Sequence, residues 1–161
     1  MIKGSMKLPI GGQELTVFGG SYYFKPHDAL GIRMAVEIDQ PAEAVVPVRD
    51  MGIPGREIYP DLYGALLAAL YSVSKGRKVY VGCMGGIGRT GLFLALLARL
   101  VGIENPVPYV RANYSFLAVE TPEQEVFVRD FDLSPLRLAV QAAKARVRER
   151  DKCHTLDFAG A

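Results

Sequence analysis

A cysteine and an arginine separated by a glycine-rich stretch make Val79-Tyr80-Val81-Gly82-Cys83-Met84-Gly85-Gly86-Ile87-Gly88-Arg89-Thr90-Gly91 the part of this sequence best equipped for chemistry. Lys78 to Val81 is a short β-rich run, and Gly91 to Val101 is apolar nearly all round, so the order is strand, glycine-rich turn, buried helix. At a helix start the backbone N–H groups lack intrahelical partners, and together with the helix dipole they favour an anion. Glycines at 85, 86 and 88 let the backbone curl closely around such a ligand. Arg89 adds a planar, permanently charged fork that matches two phosphate oxygens. The run Met84-Gly85-Gly86-Ile87-Gly88-Arg89 is therefore expected to bind phosphate, with the Cys83 sulfur beneath the phosphorus. The same N–H groups and Arg89 favour the thiolate and would lower the Cys83 pKa below the free value of ~8.5. Thr90 would donate its hydroxyl to the thiolate as it departs.

Gly86-Ile87-Gly88-Arg89-Thr90-Gly91 also satisfies G-x-G-x-x-G, the dinucleotide fingerprint. That reading requires a second strand ending in an acidic residue about twenty positions further on. The chain offers Gly102-Ile103-Glu104-Asn105-Pro106 with no clear strand before it, which speaks against a dinucleotide site.

Cys83 to Arg89 is C-x5-R and, with Thr90 and Gly91, resembles the HC-x-x-G-x-x-R-[ST] signature of the protein tyrosine and dual-specificity phosphatases. The resemblance implies a thiol nucleophile, a cysteinyl-phosphate intermediate, no metal or other cofactor, and a general acid on a separate upstream loop. Val48-Arg49-Asp50-Met51-Gly52-Ile53-Pro54 resembles the family's Asp-x-Gly-x-Pro acid loop, and Asp50 stands ahead of Cys83 by a spacing similar to the family's. A carboxylic acid there would protonate the leaving oxygen as the loop closes over the phosphate. The competing reading of Asp50 is an ordinary turn residue. Ala118-Val119-Glu120-Thr121-Pro122-Glu123-Gln124 resembles the segment whose glutamine places the hydrolytic water, which makes Gln124 a catalytic candidate. Thr121-x-x-Gln124 is equally a capping box with proline at the first helical position, and both readings stand. Arg111 would fix the loops, bind substrate or serve as a surface arginine. The resemblance covers residues 44 to 131, and the chain length suits the compact dual-specificity type.

Where the family has histidine before the cysteine, this chain has Gly82; Met84 and Gly85 depart less. Loss of that histidine would raise the Cys83 pKa relative to the family's, at about 1.4 kcal/mol per unit. Two functions follow. The first is an active phosphomonoester hydrolase acting on a phosphorylated protein or a small phosphomonoester; the second is a weak or inactive relative that captures a phosphorylated protein, nucleotide or RNA end. Nucleic acid enters only as such a phosphorylated end.

The elements that must place these residues read as follows. Short strands are expected over Glu14 to Phe18, Arg33 to Ile38 and Ala44 to Val48. Leu62, Leu66, Leu70 and Val73 recur at helical spacing from Asp61 to Ser74, with Asp61 as N-cap and Gly76 near the end. Pro106 to Tyr114 reads as a short helix, and Thr121 opens another reaching Phe131. Ser134 to Lys152 carries the apolar stripe Leu136, Val140, Ala143 and Val147 beside Arg137, Lys144 and Arg148, where a solvated basic face is the leading interpretation. Strands alternating with helices, then helices alone, predict an α/β class: a central mixed sheet flanked by helices, resembling the dual-specificity phosphatase fold.

The remaining composition narrows the setting. At 161 residues the chain is expected to form a single domain over 1–161, and 50% hydrophobic with 22% charged residues excludes disordered and fibrous classes. A net charge of +2 is too small to signal a nucleic-acid surface. Met1-Ile2-Lys3-Gly4-Ser5-Met6-Lys7 has no apolar run for a secretory signal, and no stretch approaches the ~20 apolar residues of a spanning helix. A cytoplasmic protein without a membrane anchor is expected, with Cys83 and Cys153 as thiols. His27 and His154 lack neighbours at metal-ligand spacing, so no metal site is expected, and the sequon Asn113-Tyr114-Ser115 is taken as a chance match.

Overall fold

The computed structural model describes residues 4–160; Met1 to Lys3, part of the run read for a secretory signal, and Ala161 lie outside the described residues. Five strands form one mixed sheet: β1 (Gly4–Ile10), β2 (Gln13–Ser21), β3 (Leu30–Ala35), β4 (Ala44–Val48) and β5 (Val79–Cys83), in the order β1-β2-β5-β3-β4. β1 and β2 are antiparallel; β2–β5, β5–β3 and β3–β4 are parallel. The α-helices are α1 (Tyr59–Ser74), α2 (Gly88–Leu100), α3 (Pro106–Asn113), α4 (Pro122–Asp130) and α5 (Arg137–Ala159). The α/β class read from the sequence is what the chain adopts.

β5 lies at the centre, and all five of its residues are buried. Both faces of a parallel strand in that position are covered, which is why Val79, Tyr80 and Val81 run on without polar alternation. α2 is buried from Gly88 through Ala98. Its Leu92, Phe93, Leu94, Leu96 and Leu97 each contribute about 1.5–3 kcal/mol on burial, so the end of the glycine-rich turn is fastened to the core.

Several boundaries differ from expectation for physical reasons. β1 went unread although Met6, Leu8 and Ile10 alternate inward, because Pro9 argues against a strand. The strand is at the sheet edge, where a missing N–H is tolerated, and Pro47 sits likewise in edge strand β4. The expected strand Arg33 to Ile38 instead spans Leu30–Ala35, which leaves Glu37 beyond its end. Asp61 is not the N-cap of α1: the helix starts at Tyr59 with Pro60 in its first turn, and Asp61 lies within that turn, where its charge favours the helix dipole. The stripe on α5 is buried as expected. Two of the basic residues on that helix cap α1: Arg146 Nε donates to Ser74 Oγ at 2.8 Å and Arg150 Nη1 to the Ser74 carbonyl at 3.1 Å.

Among the described residues no helix is long and apolar enough to cross a membrane, and no group of three His, Cys, Asp or Glu could hold a metal ion. Cys83 and Cys153 are both free thiols, the first buried and the second exposed on α5.

Candidate active site

β5 ends on Cys83 and α2 begins at Gly88, so the glycine-rich turn fills the gap between the carboxyl end of the central strand and a helix N-terminus. The carboxyl edge of a parallel sheet is where such folds hold ligands. Cys83 is 3% exposed. Its Sγ accepts the Gly86 N–H at 3.2 Å and the Thr90 hydroxyl at 3.1 Å.

Two glycines in this stretch are fixed by the backbone of the β2 end. Gly86 has φ 71°, and a Cβ on it would collide with the Gly20 carbonyl carbon and lie 2.7 Å from Ser21 N. Gly82 has the same neighbour: a Cβ there would sit 2.7 Å from Tyr22 Cα and 2.8 Å from Tyr22 N. The segment Gly20 to Tyr22 therefore lies directly against the start and middle of the loop. Tyr80, on β5, ties it down further by donating to the Ser21 carbonyl at 2.7 Å. Burial, with Cys83 nearby, pushes the Tyr80 phenol up to about 12, so it stays a donor at neutral pH.

Arg89 is 2% exposed and carries a dense set of partners. Nη1 donates to Glu37 Oε2 at 2.8 Å and to the Val48 carbonyl at 2.8 Å; Nη2 donates to Glu37 Oε1 at 2.6 Å and lies 3.3 Å from Asp50 Oδ1. Burial alone would lower the guanidinium pKa, but Glu37, Cys83 and Asp50 outweigh it and hold it raised. Glu37 in turn is held below the ordinary carboxylate range, chiefly by its bonds to Arg89. Arg89 Nε is buried and has no hydrogen-bond partner among the described residues. A buried unsatisfied donor of this kind is rare and costs about 1–3 kcal/mol, and an anion above Cys83 would relieve it.

Asp50 is brought to the same place from the other side of the turn. Its side chain is 77% exposed; Oδ1 accepts the Met51 N–H at 3.1 Å and faces Arg89 Nη2. Met51 has φ 61°, a left-handed backbone that costs energy for a residue with a Cβ. Gln124 holds this loop from below. It is fully buried, its Oε1 accepts the Glu120 N–H at 2.8 Å, and its Nε2 donates to the Gly52 carbonyl at 3.0 Å. Thr121 caps α4 by accepting the Gln124 N–H at 3.1 Å. The Gln124 side chain reaches back to residue 120 instead of the Thr121 N–H of the reciprocal box, so it links α4 to the Asp50 loop as well as stabilising a helix start.

The structure thus brings Cys83, Arg89, Thr90 and Asp50 together around the loop Met84 to Gly88, with Gln124 one layer behind. Arg111 is engaged beside it: Nε and Nη2 donate to the Ala118 and Val119 carbonyls, and Nη2 to Glu125 at 2.7 Å, which fixes the segment before α4, and it lines a small cleft with Ile87 of the loop. Besides the segment Gly20 to Tyr22, residues that the sequence does not single out touch the site through their side chains: Glu37 through Arg89 and Tyr114 through the Gly86 carbonyl. The only local signal for Glu37 is an acidic residue close after a strand. A groove of ≈ 740 Å³ runs beside the Asp50 loop between Ile53, Tyr59, Tyr63, Val126 and Phe131, but neither Cys83 nor Arg89 lines it, so it is not where the reacting groups meet.

No family model matches the chain. Two uncharacterized proteins of Methanocaldococcus jannaschii are 50% and 49% identical over 86 residues, 53% of this chain in both cases. The chain spans about half the length of these curated relatives, 56% and 52%. Among solved structures, Tk-PTP in its active form is similar with a TM-score of 0.52 and 25% identity, covering 65% of this chain and 78% of that one. A kinase associated phosphatase whose catalytic-site cysteine is replaced by serine is similar with a TM-score of 0.57 and 15% identity, covering 81% of this chain and 94% of that one. The chain has the fold of the tyrosine and dual-specificity phosphatases.

Proposed function

We propose that residues 1–161 act as one cysteine-dependent phosphomonoester hydrolase of the tyrosine and dual-specificity type, needing no metal or other cofactor. The observation that carries this reading is the pairing of a buried sulfur, Cys83 Sγ, bonded by Gly86 and Thr90, with a buried Arg89 whose Nε has no hydrogen-bond partner among the described residues. One group is suited to attack and the other to hold what is attacked. The amides of Met84 to Gly88 and the Arg89 fork would bind the phosphoryl oxygens and gain strength as charge builds on them in the transition state.

In the first half-reaction the Cys83 thiolate bonds to phosphorus, the ester P–O bond breaks, and Asp50 gives its proton to the leaving oxygen. In the second, water bonds to phosphorus, Asp50 takes its proton, and the P–S bond breaks to return the thiolate, which Thr90 stabilises by donating its hydroxyl. Gln124 retains an amide N–H and a lone pair beyond its bonds to Gly52 and Glu120 and is proposed to place that water. Exposed Met51 and Ile53 on the acid segment and exposed Met84 on the phosphate loop suit a phosphorylated protein or a small phosphomonoester with an apolar body. The proposed setting is cytoplasmic, where a thiol nucleophile stays reduced.

A second reading keeps the binding and drops the turnover. It is motivated by Gly82, which stands where the resembling family has histidine; the site would then capture a phosphorylated protein, nucleotide or RNA end. Phosphate release from p-nitrophenyl phosphate, with Cys83→Ser as control, separates the two. The hydrolase reading expects the wild type to exceed the variant by about 10⁴-fold or more. Equal rates in the presence of tight vanadate binding would establish the binder instead.

A further inference from the structure

Tyr114 follows α3 as its C-cap residue, and its hydroxyl donates to the Gly86 carbonyl at 2.6 Å. Glycine at position 19 makes this reach possible. Gly19 lies inside β2, opposite Val81, and a Cβ on it would stand 2.9 Å from the Tyr114 hydroxyl oxygen and 3.1 Å from Thr90 Cγ2. Glycine weakens a strand interior and commonly marks a close approach. Here the approach is that of the tyrosine to the loop. Burial, with Cys83 and Tyr80 near, raises the Tyr114 phenol well above its ordinary value, so the hydroxyl remains a donor wherever the protein is folded and neutral.

The bond has a geometric consequence for the next residue. Among the described residues no peptide bond is cis, and in a planar trans peptide the carbonyl and the following N–H point in opposite directions. The Gly86 N–H itself points at Cys83 Sγ. We propose that Tyr114 is a positioning residue: by holding the Gly86 carbonyl it fixes the plane of the Gly86–Ile87 peptide, and so the opposite direction of the Ile87 N–H, which donates to a phosphate oxygen bound above Cys83. The role rests on the phosphate-binding reading of the loop. It concerns binding as much as turnover, because the same amide serves the ground state and the transition state.

The test uses the full chain with Tyr114→Phe, which removes the hydroxyl and keeps the ring. Inorganic phosphate and orthovanadate are titrated, p-nitrophenyl phosphate turnover is measured, and the Ile87 amide resonance is followed as phosphate is added. The expected result is a wild-type Ile87 resonance that moves on binding, and a variant in which that movement is lost while phosphate affinity and kcat/KM fall about tenfold to a hundredfold. A purely structural tyrosine would lower the melting temperature without changing the affinity of the folded protein. Gly19→Ala, which displaces the hydroxyl without removing it, should weaken phosphate binding in the same direction, and it serves if Tyr114→Phe does not fold. Affinities within about twofold of wild type in the folded variants, or an Ile87 resonance that answers phosphate alike in both proteins, overturn the proposal. A wild type that hydrolyses p-nitrophenyl phosphate while Tyr114→Phe equals it overturns the role of Tyr114 alone. A wild type that binds phosphate and releases none overturns the hydrolase reading alone, and the phosphate affinities still decide on Tyr114.

Discussion

In the loop from Cys83 to Arg89 the residues Cys83, Gly86, Gly88 and Arg89 are buried and held from several directions, whereas in the segment 50–55 that carries the proposed acid Asp50, Met51 and Ile53 are exposed and the segment is held at few points. The first is fastened by β5, by the N-terminus of α2, by the backbone of Gly20 to Tyr22 and by Tyr114. The second rests on the Arg49–Gly52 backbone turn, the Gln124 bond to the Gly52 carbonyl and the contact of Asp50 with Arg89. The contrast fits the chemistry. Stabilising developing phosphoryl charge demands donors that need no reorganisation, while a proton donor must admit substrate and then approach it. A strained Met51 on a tethered loop, beside a left-handed Gly86 locked against β2, expresses the same division in backbone terms.

If the division is right, substitutions in the two regions fail differently. Arg89→Ala should show the largest effect, about 10³-fold or more in kcat/KM with a matching loss of vanadate affinity, because it removes the fork and leaves Glu37 without its partner. Steady-state kinetics with vanadate titration check this. A loss confined to turnover would break the contrast. Asp50→Asn should spare vanadate affinity and cost about 10²-fold in kcat for an alkyl phosphate, with much less loss for p-nitrophenyl phosphate, whose leaving group needs little protonation. Equal losses on both substrates would mean that Asp50 is not the acid.

Gly82 sharpens the comparison further. The space that a Cβ on Gly82 would need is already filled by the backbone of Tyr22. Gly82→Ala should therefore destabilise by about 2 kcal/mol, a fall of several degrees in melting temperature, and Gly82→His should lower activity instead of restoring it. A faster histidine variant would show that the β2 end yields easily.

The smallest effect expected is electrostatic. Arg89 holds the Glu37 carboxyl below its ordinary value in the folded chain, so on acidification the unfolded chain takes up the proton first. The stabilisation from this pair is complete above the ordinary glutamate pKa of ~4.3 and is lost as pH falls through the lower folded value. The melting-temperature gap between wild type and Glu37→Gln should thus be widest near neutral pH and close as the pH falls below the ordinary glutamate value. A gap that does not change with pH would assign Glu37 a packing role.

How far the sequence carried this account depends on whether the determinant was local. Cys83, the loop and Arg89 were legible because a strand, glycines and a helix start are consecutive, and the apolar run from Gly91 onward announced its own burial. Asp50 was legible through its Asp-x-Gly-x-Pro surroundings, although its meeting with Arg89 required the fold. Gln124 showed two readings in sequence, a cap and a water-placing amide; its bonds to the Glu120 N–H and the Gly52 carbonyl are long-range or off-pattern contacts that neither reading marks. Glu37 and Tyr114 were not legible. Each matters through bonds to one distant residue, and neither sits in a pattern that periodicity or turn chemistry would mark. β1 was hidden by Pro9, whose cost vanishes at a sheet edge.

The central claim is that the Cys83 sulfur becomes covalently phosphorylated during turnover. Wild-type protein mixed with excess p-nitrophenyl phosphate, quenched in acid within milliseconds and digested for mass spectrometry, addresses it directly. The account predicts one phosphoryl group on the peptide containing Cys83, absent from Cys83→Ser and accumulating in Gln124→Ala if hydrolysis is slowed there. Phosphate released with no phosphorylated peptide, or with the phosphoryl group on another residue, would contradict it.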